Sequence, residues 1–366
     1  MENDRFTKDQ IITYLGNKRK LLDFIGNEVK EILRKDNIEK CKMFDGFAGS
    51  GVVSRYFKRF STELYVNDFE EYSSVINSCY LSNKSDVDID EIISINKGLN
   101  ENKLRNSDGG LVRSLYSPKN DKNITVDDRA FYTNKNAIII DNIRDMINDV
   151  DENLQKYFIA PLLYESSVHV NTSGVFKGFY KDKNTGVGKF GGTGENALNR
   201  ILGEIKLPVP IFSEYECGVH IFNEDTNSLV SKLPQVDITY YDPPYNQHPY
   251  GSNYFMLNLI NKNEIPSEYS KVSGIPKDWK KSPYYRKNEV KESFEKLIEN
   301  TNSRWILLSY NNEGLMSSDE IMETLSKHGE VNLKKHKYNT FRGSKNLKNR
   351  STHVDEFLYV LKKDNY

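Results

Sequence analysis

The segment "TYYDPPYNQHPY", residues 239–250, sets a carboxylate, two rigid prolyl residues and an aromatic ring in a row: Asp242, Pro243, Pro244 and Tyr245. It follows the apolar run "VDITYY", which reads as a buried strand. Proline cannot donate to a strand ladder and keeps the residue before it out of helix, so the strand stops at Asp242. The double proline is either punctuation at a strand end or the floor of a site. As a site, the Asp242 carboxylate and the Pro243 carbonyl are neighbouring acceptors that suit a planar amine held by both its hydrogens. Tyr245 offers a ring face on which a base can stack. Such a set aims the amine's lone pair at an electrophilic carbon and works by positioning and electrostatics, without a covalent intermediate.

A second group lies upstream. "FDGFAGSG" puts Gly46, Gly49 and Gly51 at a turn from strand to helix. Glycine lets the backbone bend tightly and approach a ligand, and a helix start favours negative groups. Asp68 closes the next strand, "ELYVNDFE", at the interval where a carboxylate meets ribose hydroxyls. The pattern departs from a dinucleotide fingerprint, since Ser54 stands at the third glycine position. The two features together point to a ligand of adenosine type. In "FNED", Asp225 either accepts from an adenine amino group or caps the helix "TNSLVSKL".

The elements that must position these residues read as follows. "LLDFIGNEVKEILRK" has apolar residues at helical spacing: Leu22, Ile25, Val29, Ile32 and Leu33. A short strand at 42–45, a helix from about Gly51, a strand ending at Asp68 and the helix "YSSVINSCYLS" follow. This is the opening of a doubly wound α/β sheet. From 84 to 213 the composition turns polar, with helical stretches near 136–165 and a Gly-rich basic run after them. That segment reads as an inserted, mostly helical domain. Strand patterns return from 214 in "CGVHIFNED", "VDITYYD", "RWILLSYNNE" and "EFLYVLKK", the last two flanking the helix "SSDEIMETLSKHG".

A chain of 366 residues with 37% hydrophobic and 28% charged residues suits one large or two ordinary globular domains. There is no signal-peptide pattern and no apolar run of membrane-spanning length. Three scattered cysteines, Cys41, Cys79 and Cys217, argue against a disulfide framework or a cysteine zinc site and fit a reducing cytoplasm. Net charge is −1, but Lys and Arg gather in "KKHKYNTFRGSKNLKNR" (334–350) and "FKGFYKDKNTGVGK" (176–189). Each stretch is either a phosphate-holding patch or a solvated loop.

The order "YLGNKRKLL", "FDGFAGSG", "YVNDFE", "FNED", "YYDPPYN" and "ILLSYNNEGL" resembles the Dam-like DNA adenine-N6 methyltransferases, the alpha arrangement of amino-methyltransferases. The resemblance covers most of the chain outside 84–213. It implies a Rossmann-like, class I methyltransferase sheet formed by 1–83 and 214–366, with 84–213 as an inserted target-recognition domain. It implies S-adenosylmethionine as cofactor, no metal, duplex DNA as partner and a flipped-out adenine as target. Tyr14, Gly16 and Lys18 then close over the cofactor, beside Asp45, Phe47, Gly49 and Gly51. Asp68 takes the ribose, Asp225 the cofactor adenine, and Asp242, Pro243, Pro244 and Tyr245 form the catalytic tetrad.

Residues 166–180 fall where such enzymes carry a DNA-contacting hairpin. Lys177, Lys181, Lys345, Lys348 and Arg350 become phosphate contacts, and Asn171 a base reader. "NQHPYGSNYF" is expected as a loop that orders on the target base. Asp242 tilts the target toward adenine, because Ser-Pro-Pro-Tyr is commoner for cytosine-N4. A cofactor-binding module that reads DNA without modifying it is the reading from another class. A companion restriction endonuclease and a monomer or weak dimer complete the expectations.

Overall fold

The computed structural model describes residues 2–106, 108, 110–339 and 353–364. Its centre is a seven-stranded, mostly parallel sheet. The strands are β1 (Cys41–Asp45), β2 (Ser61–Asn67), β3 (Gly218–Phe222), β4 (Val236–Tyr241), β5 (Ser303–Asn311), β6 (Gly329–Asn339) and β7 (His353–Lys363). They lie in the order β3-β2-β1-β4-β5-β7-β6. β7 runs antiparallel to both neighbours, and the other pairings are parallel. The order reverses direction between β1 and β4, so the carboxyl ends of these two strands open a crevice there.

Strand periodicity sorts the core. Along β5, Trp305 and Leu307 face one layer, and Ile306 and Leu308 the other. The first layer packs under the helices Leu22–Asp36 and Val52–Phe57, through Ile25, Val29, Val53 and Phe57. The apolar stripe of Leu22–Asp36 is the one its spacing predicts. The helix stops where Asn37 turns left-handed (φ 54°) and Ile38 N–H bonds back to the Leu33 carbonyl at 3.0 Å. The second layer packs under Val290–Asn300 and Ser318–Ser326, through Phe294, Leu297, Ile321 and Leu325.

Segment 84–213 is helical at Ile89–Glu101, Leu111–Tyr116, Asn134–Ile147, Glu152–Val168 and Leu198–Leu202. The helical stretches expected near 136–165 are the helices Asn134–Ile147 and Glu152–Val168. Their apolar faces share one cluster with Tyr72, Ile76 and Tyr80 of the helix Glu71–Tyr80 and with Leu257 and Ile260 of the helix Phe255–Lys262. This segment thus rests on the helices Glu71–Tyr80 and Phe255–Lys262. Residues 166–168 finish a helix, and hairpin pairing comes later, as a bridge between Lys181 and Gly188 flanked by Asp182 N–H to Val187 O (2.8 Å) and Lys189 N–H to Tyr180 O (2.9 Å).

Two expectations are corrected at this level. The basic run from Lys334 is not a loop at its start. It continues β6 to Asn339, paired with β7 from Gly329↔Lys363 to Asn339↔His353. Its lysines suit an edge strand, where charge blocks further pairing, and Lys334 reaches Glu28 at 3.3 Å. The segment after the double proline is irregular only through Pro249, because Tyr250–Asn253 is already a helical turn leading into Phe255–Lys262.

Candidate active site

β1 ends at Asp45, and the chain keeps the sheet's bonding for one more residue, Gly46 N–H donating to Tyr240 O at 3.0 Å. It then turns through Gly49 (φ 53°) and Gly51 (φ 75°) into Val52–Phe57. A Cβ on Gly49 would lie 2.9 Å from the Tyr14 ring. A Cβ on Gly51 would lie 2.2 Å from Asn77 Oδ1, a buried side chain. Gly49 therefore keeps the loop open to a cleft, whereas Gly51 serves packing and does not line it. The Asp68 carboxylate accepts from Gly49 N–H (2.7 Å) and Glu70 N–H (2.9 Å), fixing the loop from the end of β2.

The cleft spans about 780 Å³, open solvent at its mouth included. Tyr14, Gly16, Lys18, Asp45, Phe47, Gly49, Asp68, Asp225, Asp242 and Pro244 all line it. Asp225 keeps both of its alternatives: it caps Thr226–Leu229 through Ser228 N–H (3.1 Å) and also faces the cleft. Sequence reasoning missed part of the wall. Glu70, Thr226 and Tyr250 line it, as do Ser282, Tyr284 and Tyr285 from the stretch after Phe255–Lys262. No motif marked those last three, since they reach the cleft only through the fold.

At the floor, Asp242 follows β4 directly, and its Oδ1 lies 2.9 Å from Lys18 Nζ. Glu356 of β7 approaches the same ammonium at 3.5 Å. The Lys18 side chain is 2% exposed, that of Asp242 17% and that of Glu356 9%, so water screens this trio little. Burial draws the Lys18 ammonium down, but Asp242 and Glu356 outweigh it and the net shift is well upward. Burial pushes Asp242 up to about 6; Lys18 opposes this and Glu356 adds to it. Burial likewise raises Asp45 to about 7, Asp68 to about 6 and Glu70 to about 7. Asp45 Oδ2 accepts from Ser54 Oγ at 2.6 Å, and its Oδ1 is buried with no hydrogen-bond partner.

Tyr245 stands beside this floor. Its ring centroid is 5.5 Å from Lys18 Nζ, and a Cβ on Gly16 (φ 76°) would come within 2.8 Å of its hydroxyl. The Tyr245 carbonyl accepts from Leu315 N–H at 2.9 Å. Pro243 is buried behind the cleft. Above, Tyr14 stacks against Tyr250 (4.9 Å) and Tyr254 (4.7 Å). Tyr254 Oη accepts from Leu15 N–H at 2.7 Å, and Tyr250 Oη donates to Leu15 O at 3.0 Å. These contacts tie the segment carrying Tyr14, Gly16 and Lys18 to the one that follows the double proline.

Asn171, expected to read a base, needs correction. It is 0% exposed, its amide donates to Ala130 O (2.8 Å) and Lys189 O (3.3 Å), and its Oδ1 accepts from Gly191 N–H (2.9 Å). Both ends of the side chain are committed to holding the loop. Lys177 and Lys181 are exposed, Lys181 Nζ lying 5.0 Å from the centre of the Phe179 ring. Lys345, Lys348 and Arg350 lie outside the described residues.

Residues 14–324 match the family described as D12 class N6 adenine-specific DNA methyltransferase. The chain is 28% identical to the type II methyltransferase M.NlaIII of Neisseria lactamica, across 96% of this chain and 99% of that protein. It is 32% identical to the type II methyltransferase M.CviAII of Paramecium bursaria Chlorella virus 1, across 96% and 98%. It is 31% identical to the modification methylase StsI of Streptococcus sanguinis, across 96% of this chain but 52% of that protein. With Asp242, Pro244 and the Gly49 loop gathered on one cleft at the strands' carboxyl ends, the chain belongs to the D12 class of N6 adenine-specific DNA methyltransferases.

Proposed function

We propose that the cleft takes S-adenosylmethionine and that Asp242, Pro243, Pro244 and Tyr245 hold the N6 amine of an adenine flipped out of duplex DNA. The observation that carries this reading is the single cavity lined by both the Gly49 loop and Asp242, at the carboxyl ends of β1 and β4. The donor set fits the cofactor. Its sulfonium and ammonium are cationic, and Asp45, Asp68, Asp225 and Asp242 face the cleft. The buried, unpartnered Asp45 Oδ1 is an acceptor in need of a donor. Asp68 and Asp225 suit the ribose and adenine ends, Phe47 and Tyr284 pack the wall between, and Tyr14, Gly16 and Lys18 close the near side.

When bound, the cofactor supplies an electrophilic methyl on sulfur, and the carbon–sulfur pair stays on sulfur as the amine takes the carbon. The residues of this chain position the amine. Asp242 and the Pro243 carbonyl accept its two hydrogens, and Tyr245 stacks on the base. As the nitrogen gains the methyl it gains positive charge, which the Asp242 carboxylate stabilises in a site shielded from water. One N–H proton then leaves through Asp242 to solvent.

The strand order and the layers on both faces support a Rossmann-like class I methyltransferase domain, formed by 1–83 and 214–366. Residues 84–213 are then the target-recognition domain, with Lys177 and Lys181 on DNA phosphates. The type II names of the two full-length relatives support a partner endonuclease that cuts the same site when it is unmethylated. Three free, buried cysteines fit the cytoplasm, and among the described residues no helix is long and apolar enough to cross a membrane. Asp242→Asn and Asp242→Ala should slow single-turnover methylation of unmethylated duplex DNA, at saturating cofactor, about 10²- to 10³-fold, with the fold intact. A near-native rate in either variant would overturn the assigned role.

A further inference from the structure

Nothing in the motifs accounts for Glu356. It sits on β7, opposite Asn311 of β5 and His336 of β6, on the sheet face that also carries Leu358 and Val360. A carboxylate on an apolar, buried face costs free energy unless something answers its charge. What answers it is Lys18, at 3.5 Å, the same ammonium that lies 2.9 Å from Asp242. Glu356 Oε2 is buried and has no hydrogen-bond partner. A single ion pair between Lys18 and Asp242 would have satisfied the floor without it. One ammonium between two carboxylates instead leaves a net negative charge of one.

We propose that Glu356 is a positioning residue for methyl transfer: by sharing the Lys18 ammonium with Asp242, it keeps the cleft floor net negative where the target amine gains positive charge. The inference rests on the reading of Asp242 as the acceptor of that amine. A lone Lys18 would neutralise Asp242 and weaken it as an acceptor. With Glu356 drawing on the other side, Lys18 fixes the Asp242 carboxylate in place without cancelling its field. The ammonium also donates to Gly16 O at 3.2 Å, so the segment under Tyr245 is held by the same contact set. Other titratable groups around the trio include Asp45, which burial and the neighbouring Asp242 raise to about 7, Tyr240, whose hydroxyl donates to Ser309 Oγ at 2.9 Å, Tyr245, Tyr250, Glu313, and the exposed His336, whose ring lies against Phe24.

A double-mutant cycle in the full chain tests this, with unmethylated duplex DNA under single turnover. Glu356→Gln should slow transfer ~10- to 50-fold, the scale of one charge acting across a partly screened site, while cofactor dissociation and KM for DNA stay within about threefold. The acid limb of its rate profile should move to lower pH, since Asp242 ionises more readily once Glu356 loses its charge. Glu356→Asp, which keeps the charge, should recover most of the rate. In a Lys18→Met background, Glu356→Gln should no longer slow transfer, because there is no ammonium left to share.

Equal losses in both backgrounds, or a Glu356→Gln rate within about twofold of wild type with an unmoved pH profile, would overturn the proposal. So would a Glu356→Asp variant as slow as Glu356→Gln. Asp242→Ala measured alongside separates the two levels. If it is inactive and Glu356→Gln is unaffected, only the role of Glu356 fails. If Asp242→Ala still methylates, the amine-acceptor reading fails and this inference with it.

Discussion

Asp242 carries the charge on which the proposed chemistry depends, and its surroundings act on that charge in opposite senses. Burial raises its carboxyl to about 6, Lys18 opposes the rise, and Glu356 adds to it. The ionised form is the acceptor, so activity is lost as pH falls through that value and is complete above it. Single-turnover rates should therefore climb about fivefold from pH 5 to 6 and flatten above 7. A profile flat down to pH 5 would place the acceptor role elsewhere. The aspartate itself was legible in the sequence because a double proline after an apolar run leaves the backbone little choice. Its ion pair was not, since Lys18 and Glu356 stand near opposite ends of the chain. Asn171 errs in the other direction. An asparagine in a polar, glycine-rich stretch reads as exposed, and only the folded loop brings Ala130 O, Lys189 O and Gly191 N–H around it.

At the scale of elements, glycines of similar backbone conformation do different work. Gly16 and Gly51 both have positive φ, 76° and 75°, where a side chain costs about 1 kcal/mol from the backbone alone. A methyl at Gly16 meets the hydroxyl of Tyr245, the far end of a partly buried side chain. Gly16→Ala should lower methyl transfer about tenfold with little loss of fold. A methyl at Gly51 meets Asn77, buried and bonded through Nδ2 to Ser73 O (2.9 Å) and Oγ (3.2 Å), which cannot yield. Gly51→Ala should instead cost about 2–3 kcal/mol of stability. Denaturant unfolding beside single-turnover assays separates the two, and the reverse pattern would refute the assignment. β6 escaped sequence reading for a related reason. Its run of exposed Lys334, Lys335 and Lys337 looks like a solvated loop, and only pairing with β7 makes it a strand.

At the scale of the molecule, a net charge of −1 cannot draw the chain to DNA by itself, so local lysines must. Lys177 and Lys181 are exposed on the loop after Glu152–Val168. Replacing both with alanine should weaken binding similarly across DNA sequences and reduce the slope of log affinity against log salt by about 2. An unchanged slope would remove them from the phosphate contacts. The insertion that carries them packs through one apolar cluster onto Glu71–Tyr80 and Phe255–Lys262, helices that flank the cleft walls. The segment that carries these lysines and the residues after the double proline are therefore built on a common core.

The sequence by itself determined the local signals: the glycine turn after β1, the carboxylates Asp68 and Asp225, the strand halted at Asp242, and the alternating strands that bury one layer on each face. Each follows from backbone sterics or from hydrophobic period within a few residues. Only the tertiary structure decided what those signals meet. It placed Lys18 between Asp242 and Glu356, buried Asn171, turned Gly51 toward Asn77, and brought Ser282, Tyr284 and Tyr285 to the cleft. Burial and charge pairing are properties of neighbours in space, and residues far apart in the chain leave no periodic trace of them.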